Sequence, residues 1–271
     1  MIRSLQRILL DQFILRPSRH EIAYAPKQRH LVTADGMTDE FFIGHSPPPL
    51  NQADDELRAA EMLVLKFPGT AGRAERASEW PCSFLPDVTA QICSWNAPGY
   101  GRSSGRASLS KMAPRALHFW QTLKTQFDLG SMKVWIVGNS LGCATATYLA
   151  GHPDVRAEGL ILRNPPPLVD VFKHIAQRYP MGRWTGSIAE SLPPEMNLQL
   201  TAPRADLPTV MLQSELDSLV LPTLQMEIYD LLPNAKRLVV MQGLDHDSVA
   251  TEDHEDDIAD AIRWLWNQSQ C

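Results

Sequence analysis

Residues 134–147 read Val134-Trp135-Ile136-Val137-Gly138-Asn139-Ser140-Leu141-Gly142-Cys143-Ala144-Thr145-Ala146-Thr147. The first four residues are apolar and β-branched or aromatic, which suits a short buried strand. The run of small residues after Gly142 suits a helix that packs close to a sheet. Between them lies Gly138-x-Ser140-x-Gly142. Gly-x-Ser-x-Gly between a strand and a helix is the pattern of a nucleophile elbow: the turn is so tight that neighbouring Cβ atoms would clash, and the serine backbone is strained. Such a turn lifts the Ser140 hydroxyl above the strand end, with the helix N-terminus beneath any anion that develops there.

Outward from the elbow, strand and helix patterns alternate. His30–Thr33 and Thr38–Gly44 flank Ala34-Asp35-Gly36-Met37, whose central Asp-Gly signals a hairpin. Short apolar runs follow at Met62–Phe67, Ala90–Trp95, Lys133–Val137, Gly159–Leu162, Thr209–Leu212 and Leu238–Met241. Helical segments are expected at Thr70–Trp80, Leu109–Phe127, Leu141–Gly151, Pro222–Leu232 and Glu255–Trp266. His45 to about Ala60 is polar and proline-rich and reads as a loop. The pattern predicts an α/β protein: one mostly parallel sheet covered by helices on both faces. Residues 171–207, rich in Pro, Met and Trp, break the rhythm between two strands and read as a short cap over the sheet ends. The 271 residues are expected to form a single domain.

Composition narrows the function classes. Hydrophobic residues make up 44% and charged residues 21%, as in ordinary globular chains. The 25 basic against 31 acidic residues leave a net charge of −6, the wrong sign for tracking nucleic-acid phosphates. Cys82, Cys93, Cys143 and Cys271 show no paired spacing, so neither a zinc nor a redox motif is expected, and free thiols suit a cytoplasmic protein. Residues 1–20 begin with an amphipathic segment that is expected to lie on the domain. The alternative for residues 1–16 is a weak contact with a membrane surface, which would make the protein peripheral to a membrane.

Serine needs a base, and the base needs an acid to orient it. On this architecture the chain order is Ser, then Asp or Glu, then His. Gln213-Ser214-Glu215-Leu216-Asp217 and Gly243-Leu244-Asp245-His246-Asp247 each follow a strand, where open α/β sheets collect catalytic groups. Asp217 and His246 are the candidate acid and base. Glu215 is the rival acid, while Asp245 and Asp247 read as surface or capping residues. His254 reads as part of a solvated first helical turn, and His118 and His174 as surface positions. The oxyanion donors are expected to be the N–H groups of Leu141, next to the nucleophile, and Thr70, in Pro68-Gly69-Thr70-Ala71-Gly72. Tyr179, Met181, Trp184 and Met196 are candidates for lining a substrate pocket under the cap.

These residues resemble the α/β-hydrolase family across nearly the whole chain. Pro68-Gly69-Thr70-Ala71-Gly72-Arg73 is similar to the His-Gly-Asn-Ala-Gly-Asn loop of one branch, single-domain hydrolases often described as serine aminopeptidase-like or carboxylesterase-like. Gly99-Tyr100-Gly101-Arg102-Ser103-Ser104-Gly105-Arg106-Ala107-Ser108 is similar to that branch's Gly-Tyr-Gly-x-Ser-x-Gly-x-x-Ser stretch. Pro68, Thr70 and Arg73 depart from the pattern, so the loop must be held by different side-chain bonds. The resemblance implies an α/β-hydrolase fold and a serine hydrolase without metal or organic cofactor. The expected substrate is a small-molecule ester with a small to medium acyl chain. Thioester, amide, peptide and carbon–carbon bonds are the alternatives on the same residues, and a non-catalytic binding module is the alternative of another class.

Overall fold

The computed structural model describes residues 2–48, 60–126, 129–130, 132–176 and 185–270. Eight strands run β1 (Gln28–Ala34), β2 (Met37–Ser46), β3 (Met62–Phe67), β4 (Ala90–Asn96), β5 (Lys133–Asn139), β6 (Gly159–Arg163), β7 (Thr209–Ser214) and β8 (Lys236–Met241). They form one sheet in the order β1-β2-β4-β3-β5-β6-β7-β8. The β1–β2 and β2–β4 pairs are antiparallel and the rest are parallel. β5, which carries the elbow, lies between β3 and β6 in the middle of the sheet. The hairpin turn is the expected Asp35-Gly36, both with positive φ (51° and 73°). Most of the polar loop expected before β3 lies outside the described residues.

The helices are α1 (Ile2–Ile14), α2 (Leu109–Gln126), α3 (Leu141–Ala150), α4 (Leu168–Ala176), α5 (Thr185–Ala189), α6 (Leu198–Thr201), α7 (Pro222–Leu231) and α8 (Glu252–Gln268). Side-chain alternation along the strands divides the interior into two layers. Leu63, Leu65, Trp95, Ile136, Leu160 and Met211 face a large core formed with α2, α3 and α7. Val64, Ile92, Trp135, Val137, Ile161 and Leu212 face a smaller core against α8.

This second face is where the structure departs from expectation. The helix expected over Thr70–Trp80 is absent. The segment forms only single 3₁₀ turns at Ala74–Arg76 and Cys82–Phe84. Gly72 inside the segment and Gly69 just before it weaken a helical ladder, and Pro81 just after it pushes Trp80 out of the helical region. A single helix therefore covers most of this face among the described residues, and a cavity of about 500 Å³ remains between the 3₁₀ turns, α8 and the carboxyl ends of the strands.

The insertion between β6 and β7 is helical, with α4, α5 and α6 and no strand among its described residues. Met196, expected to line a pocket, is fully buried in the large core instead. Its 3₁₀ turn, Pro194–Met196, packs on α2 and α3, so the side chain fills the layer beneath the insertion. Tyr179, Met181 and Trp184 lie outside the described residues.

α1 lies on the domain, as its periodicity predicts. Leu10 is buried, Gln6 Nε2 donates to Ser187 Oγ (3.1 Å), and Asp11 Oδ1 accepts the first amide of α2 from Leu109 (2.8 Å). Leu5, Ile8, Leu9 and Phe13 remain exposed. Among the described residues no helix is long and apolar enough to cross a membrane. Cys82, Cys93 and Cys143 are free and buried, and burial raises all three thiol pKa values, that of Cys82 to about 12.

A buried polar network ties the segment after α1 to the loop following β3. Arg73 donates to Ser18 O (2.9 Å), Ser18 Oγ (3.1 Å) and His20 O (3.1 Å), and pairs with Glu75. Asn96 donates to Glu75 (3.0 Å) and Glu40 (2.8 Å), and its side-chain oxygen accepts from Ala74 N–H (2.9 Å). Gly101 (φ 52°) is the residue that fits here, since a Cβ would lie 2.0 Å from Glu40 Oε2. Because Arg73 and Glu75 are 3% and 4% exposed, removing one charge strands the other in the interior. Glu75→Gln is expected to cost about 3 kcal/mol and to lower Tm by roughly 6–12 °C in thermal unfolding. An unchanged Tm would show that the network contributes nothing to stability.

Candidate active site

At the end of β5 the chain turns within one residue. Ser140 has φ 50° and ψ −121°, a conformation that costs roughly 1–3 kcal/mol for a residue with a side chain. Both glycines of the motif are required by close approach. A Cβ on Gly138 would lie 2.5 Å from Cys143 Cα, and one on Gly142 would lie 2.0 Å from Phe67 O. The strained serine is fixed by Ser140 N–H donating to Arg163 O (2.8 Å) and by Ser140 O accepting from Cys143 N–H (2.9 Å).

The structure brings Ser140, His246 and Asp217 into one row. Ser140 Oγ lies 2.9 Å from His246 Nε2, and His246 Nδ1 lies 2.7 Å from Asp217 Oδ2. The side chains of His246 and Asp217 are 8% and 0% exposed. The turn after β7 aims Asp217 inward: its Oδ1 accepts from Leu219 N–H (3.0 Å) and Val220 N–H (2.7 Å). Gln225 on α7 donates to Asp217 Oδ2 (3.0 Å) and to Val220 O (2.7 Å). Glu215, the rival acid, points elsewhere and accepts from Gly243 N–H (2.8 Å), bracing the loop after β8.

The loop after β3 closes on the serine from the other side. A Cβ on Gly69 would lie 3.3 Å from Ser140 Cβ. Thr70 Oγ1 donates to Ile14 O, and Thr70 O accepts from Tyr100 Oη (2.7 Å) and Arg16 N–H (3.3 Å). Thr70 N–H has no acceptor among the described residues. Leu141 is the first residue of α3, so its N–H has no acceptor within its own helix.

Asp245 and Asn164 have bracing roles that the sequence reading does not assign: Asp245 is expected only as a surface or capping residue, and Asn164 is not singled out. Asp245 is exposed, but its Oδ1 accepts from Ser218 N–H (2.8 Å) and from His246 N–H (2.7 Å). One carboxylate thus joins the acid loop to the base loop, and these N–H groups hold its pKa below the usual carboxylate range. Buried Asn164, after β6, accepts from Ser214 N–H (2.9 Å) and donates to His246 O (3.3 Å). Its polar side chain at the end of an apolar strand was the available signal. His254, expected in a solvated turn, is 8% exposed. It forms a reciprocal cap with Thr251 at the start of α8 and contacts Gln242 O (2.9 Å). Its ring supports the helix rather than the site.

The elbow's steric requirement is testable by a pair of alanines. Gly142→Ala forces a methyl group into the Phe67 carbonyl and is expected to lose about 3 kcal/mol or more in denaturant unfolding. Gly186→Ala, on α5 with nothing within 4 Å of the new methyl, is expected to be neutral or stabilising by up to about 1 kcal/mol. Equal effects would refute the close-approach argument.

No family model matches the chain. Solved structures do, at low sequence identity. The esterase Pf2001 of Pyrococcus furiosus superposes with a TM-score of 0.65 at 14% identity, covering 95% of this chain and 98% of its own. Acetyl xylan esterase 1 from Thermoanaerobacterium sp. gives 0.62 at 12%, covering 97% and 93%. Est1E from Butyrivibrio proteoclasticus, solved with ferulic acid bound, gives 0.62 at 15%, covering 89% and 100%. The sheet order, the elbow on β5 and this likeness together show that the chain has the α/β-hydrolase fold.

Proposed function

We propose that the protein is a serine hydrolase that cleaves carboxylic esters of small to medium acyl chains through an acyl-enzyme on Ser140. The observation that carries this reading is the row Ser140 Oγ–His246 Nε2–His246 Nδ1–Asp217 Oδ2, with separations of 2.9 and 2.7 Å at its two hydrogen-bonding steps. A carboxylate can only accept hydrogen bonds. It therefore selects the tautomer with the proton on Nδ1 and leaves Nε2 free to accept the serine proton. Ser140 Oγ then adds to the ester carbonyl as its proton passes to Nε2, and the imidazolium that forms is stabilised by Asp217.

The tetrahedral oxyanion is assigned to the N–H groups of Leu141 and Thr70. The α3 N-terminus lies behind the first of these, and its partial positive charge favours the anion. Collapse of the intermediate returns the proton to the leaving alcohol. Water then adds to the acyl-enzyme with the same histidine as base, releasing the acid and restoring Ser140. Esterases among the structural neighbours support the choice of bond, and the shortness of the insertion between β6 and β7 supports modest acyl chains.

Labelling with a fluorophosphonate tests the nucleophile without any assumption about substrate. One adduct on the wild type and none on Ser140→Ala is expected, together with a loss of at least about 10³-fold in turnover of p-nitrophenyl esters. Normal turnover in Ser140→Ala would remove the assignment. Asp217→Asn should lower kcat by about 10⁴-fold and Glu215→Gln far less; the reverse order would transfer the acid role to Glu215. Asp245→Ala, which frees the histidine backbone, is expected to lower kcat by about 10- to 100-fold with the fluorophosphonate adduct still formed. Unchanged kinetics would show that the bridge does not position the base.

A further inference from the structure

The second sheet face holds charge that the ester chemistry does not use. Alternation turns Lys66, Ser94 and Arg163 toward this face, at the carboxyl ends of β3, β4 and β6. The centre of the face is apolar, and here the three side chains line the 500 Å³ cavity left by the missing helix. Charges facing a sheet are costly unless they are matched. Lys66 Nζ donates only to neutral carbonyls, Ser78 O (2.9 Å) and Trp80 O (2.7 Å), and desolvation pushes its pKa down to about 8. Arg163 donates from one terminal nitrogen to Ser248 O, while its Nε has no partner among the described residues. The Ser94 hydroxyl, in a residue with 0% exposure, is likewise without a partner among them.

The charge balance of the wall is positive. Arg73 is matched by Glu75 outside the cavity lining. Within the lining that leaves Lys66, Arg163 and the exposed Arg76 against one carboxylate, Glu255, which is exposed on the first turn of α8, while Asp247 and Asp217, outside the lining and beyond ion-pair distance, also act on Arg163. The rest of the lining is largely apolar, with Trp80, Phe84, Leu212 and Met241 prominent. A concave, mostly apolar space of this volume with a few unsatisfied donors is the form of a small-molecule site. Ser140 and His246 are not among its lining residues, although Gly69, Gly138 and Asn139 beside the serine are; the cavity borders the ester chemistry and does not depend on that reading.

We propose that this cavity binds an organic anion with an apolar body, its carboxylate or sulfonate held by Arg163, with Lys66 and Arg76 adding positive potential. The guanidinium's Nη1, which has no partner among the described residues and is not enclosed as Nε is, supplies a charge-assisted bond, and the aromatic wall accepts the body. The same arginine's carbonyl holds Ser140 N–H (2.8 Å), and Gly138 and Asn139 line the cavity, so the occupied site adjoins the elbow directly.

Calorimetric titration with 2-naphthoate, 2-naphthalenemethanol and inorganic phosphate tests the proposal. Naphthoate is expected to bind at least about tenfold more tightly than the alcohol, which lacks the charge, or phosphate, which lacks the body. Arg163→Met should weaken naphthoate by about tenfold or more. Because that variant also releases Ser248, Arg76→Gln at an exposed position provides a second measure, with a loss of about threefold expected. Ser140→Ala should leave naphthoate affinity unchanged. No naphthoate binding, equal affinity for the alcohol or phosphate, unchanged affinity in both arginine variants, or loss of binding in Ser140→Ala would each overturn the proposal.

Discussion

The close approach of α3 to the loop after β3 is the constraint on which the rest of the structure depends. With the Gly142 backbone pressed against the Phe67 carbonyl, the helix can begin only one residue beyond the strand. Ser140 is the residue that absorbs the turn, in a conformation that would be costly in isolation. The packing of α3 holds that strain in place. Cys143, Ala144, Ala146 and Leu149 are fully buried against the sheet, so the helix cannot relax outward without exposing its apolar face. The same contact brings the Leu141 amide and the 68–72 loop to either side of the serine. Sterics set that half of the site, and side-chain bonds from Thr70, Tyr100 and Arg73 hold its loop in place.

The other half is gathered by hydrogen bonds between loops. Asp217 is fixed by two backbone amides and Gln225, Asp245 spans from Ser218 to the histidine backbone, and Asn164 links β6 to β7 and to His246 O. Each loop leaves a different strand, so the parallel register of the sheet sets their spacing before any side chain acts. Buried polar groups joined in this way favour one geometry over its near neighbours, because each displaced partner leaves a donor or acceptor unmet.

The parallel strands are legible in the sequence because each is an apolar run closed by turn residues, and the order of Ser140, Asp217 and His246 along the chain anticipates which side chains the sheet brings together. The helix expected over Thr70–Trp80 does not form: its place between two strands suggests one, but Gly69 and Gly72 at its start and Pro81 just beyond it govern the backbone. Met196 resembles a pocket residue for being apolar in an irregular segment; its burial depends on packing against α2 and α3, which are distant in sequence. The acidic neighbours of His254 suggest solvent, whereas its ring turns inward to complete a cap. Arg73 is a visible departure from a familiar motif with Glu75 two residues on, but its other partners are hidden, since Ser18 and His20 meet it only in the folded chain.

The contacts between residues 14–20 and the Thr70 loop have a consequence for how the protein opens. Ile14, Arg16 and Ser18 touch that loop and its neighbours through hydrogen bonds, most of them to backbone atoms, while the apolar anchors nearby are few: Leu10 and Leu15. Such a segment can detach at a free-energy cost below that of unfolding the sheet. The rigidity of the Thr70 amide is then limited by this local opening rather than by global stability. Protection of the Arg16 and Gly101 amides, which bond across this contact, from hydrogen exchange would fall well below that of the β5 amides, and two molecules with the same melting temperature could differ in how long the loop stays assembled.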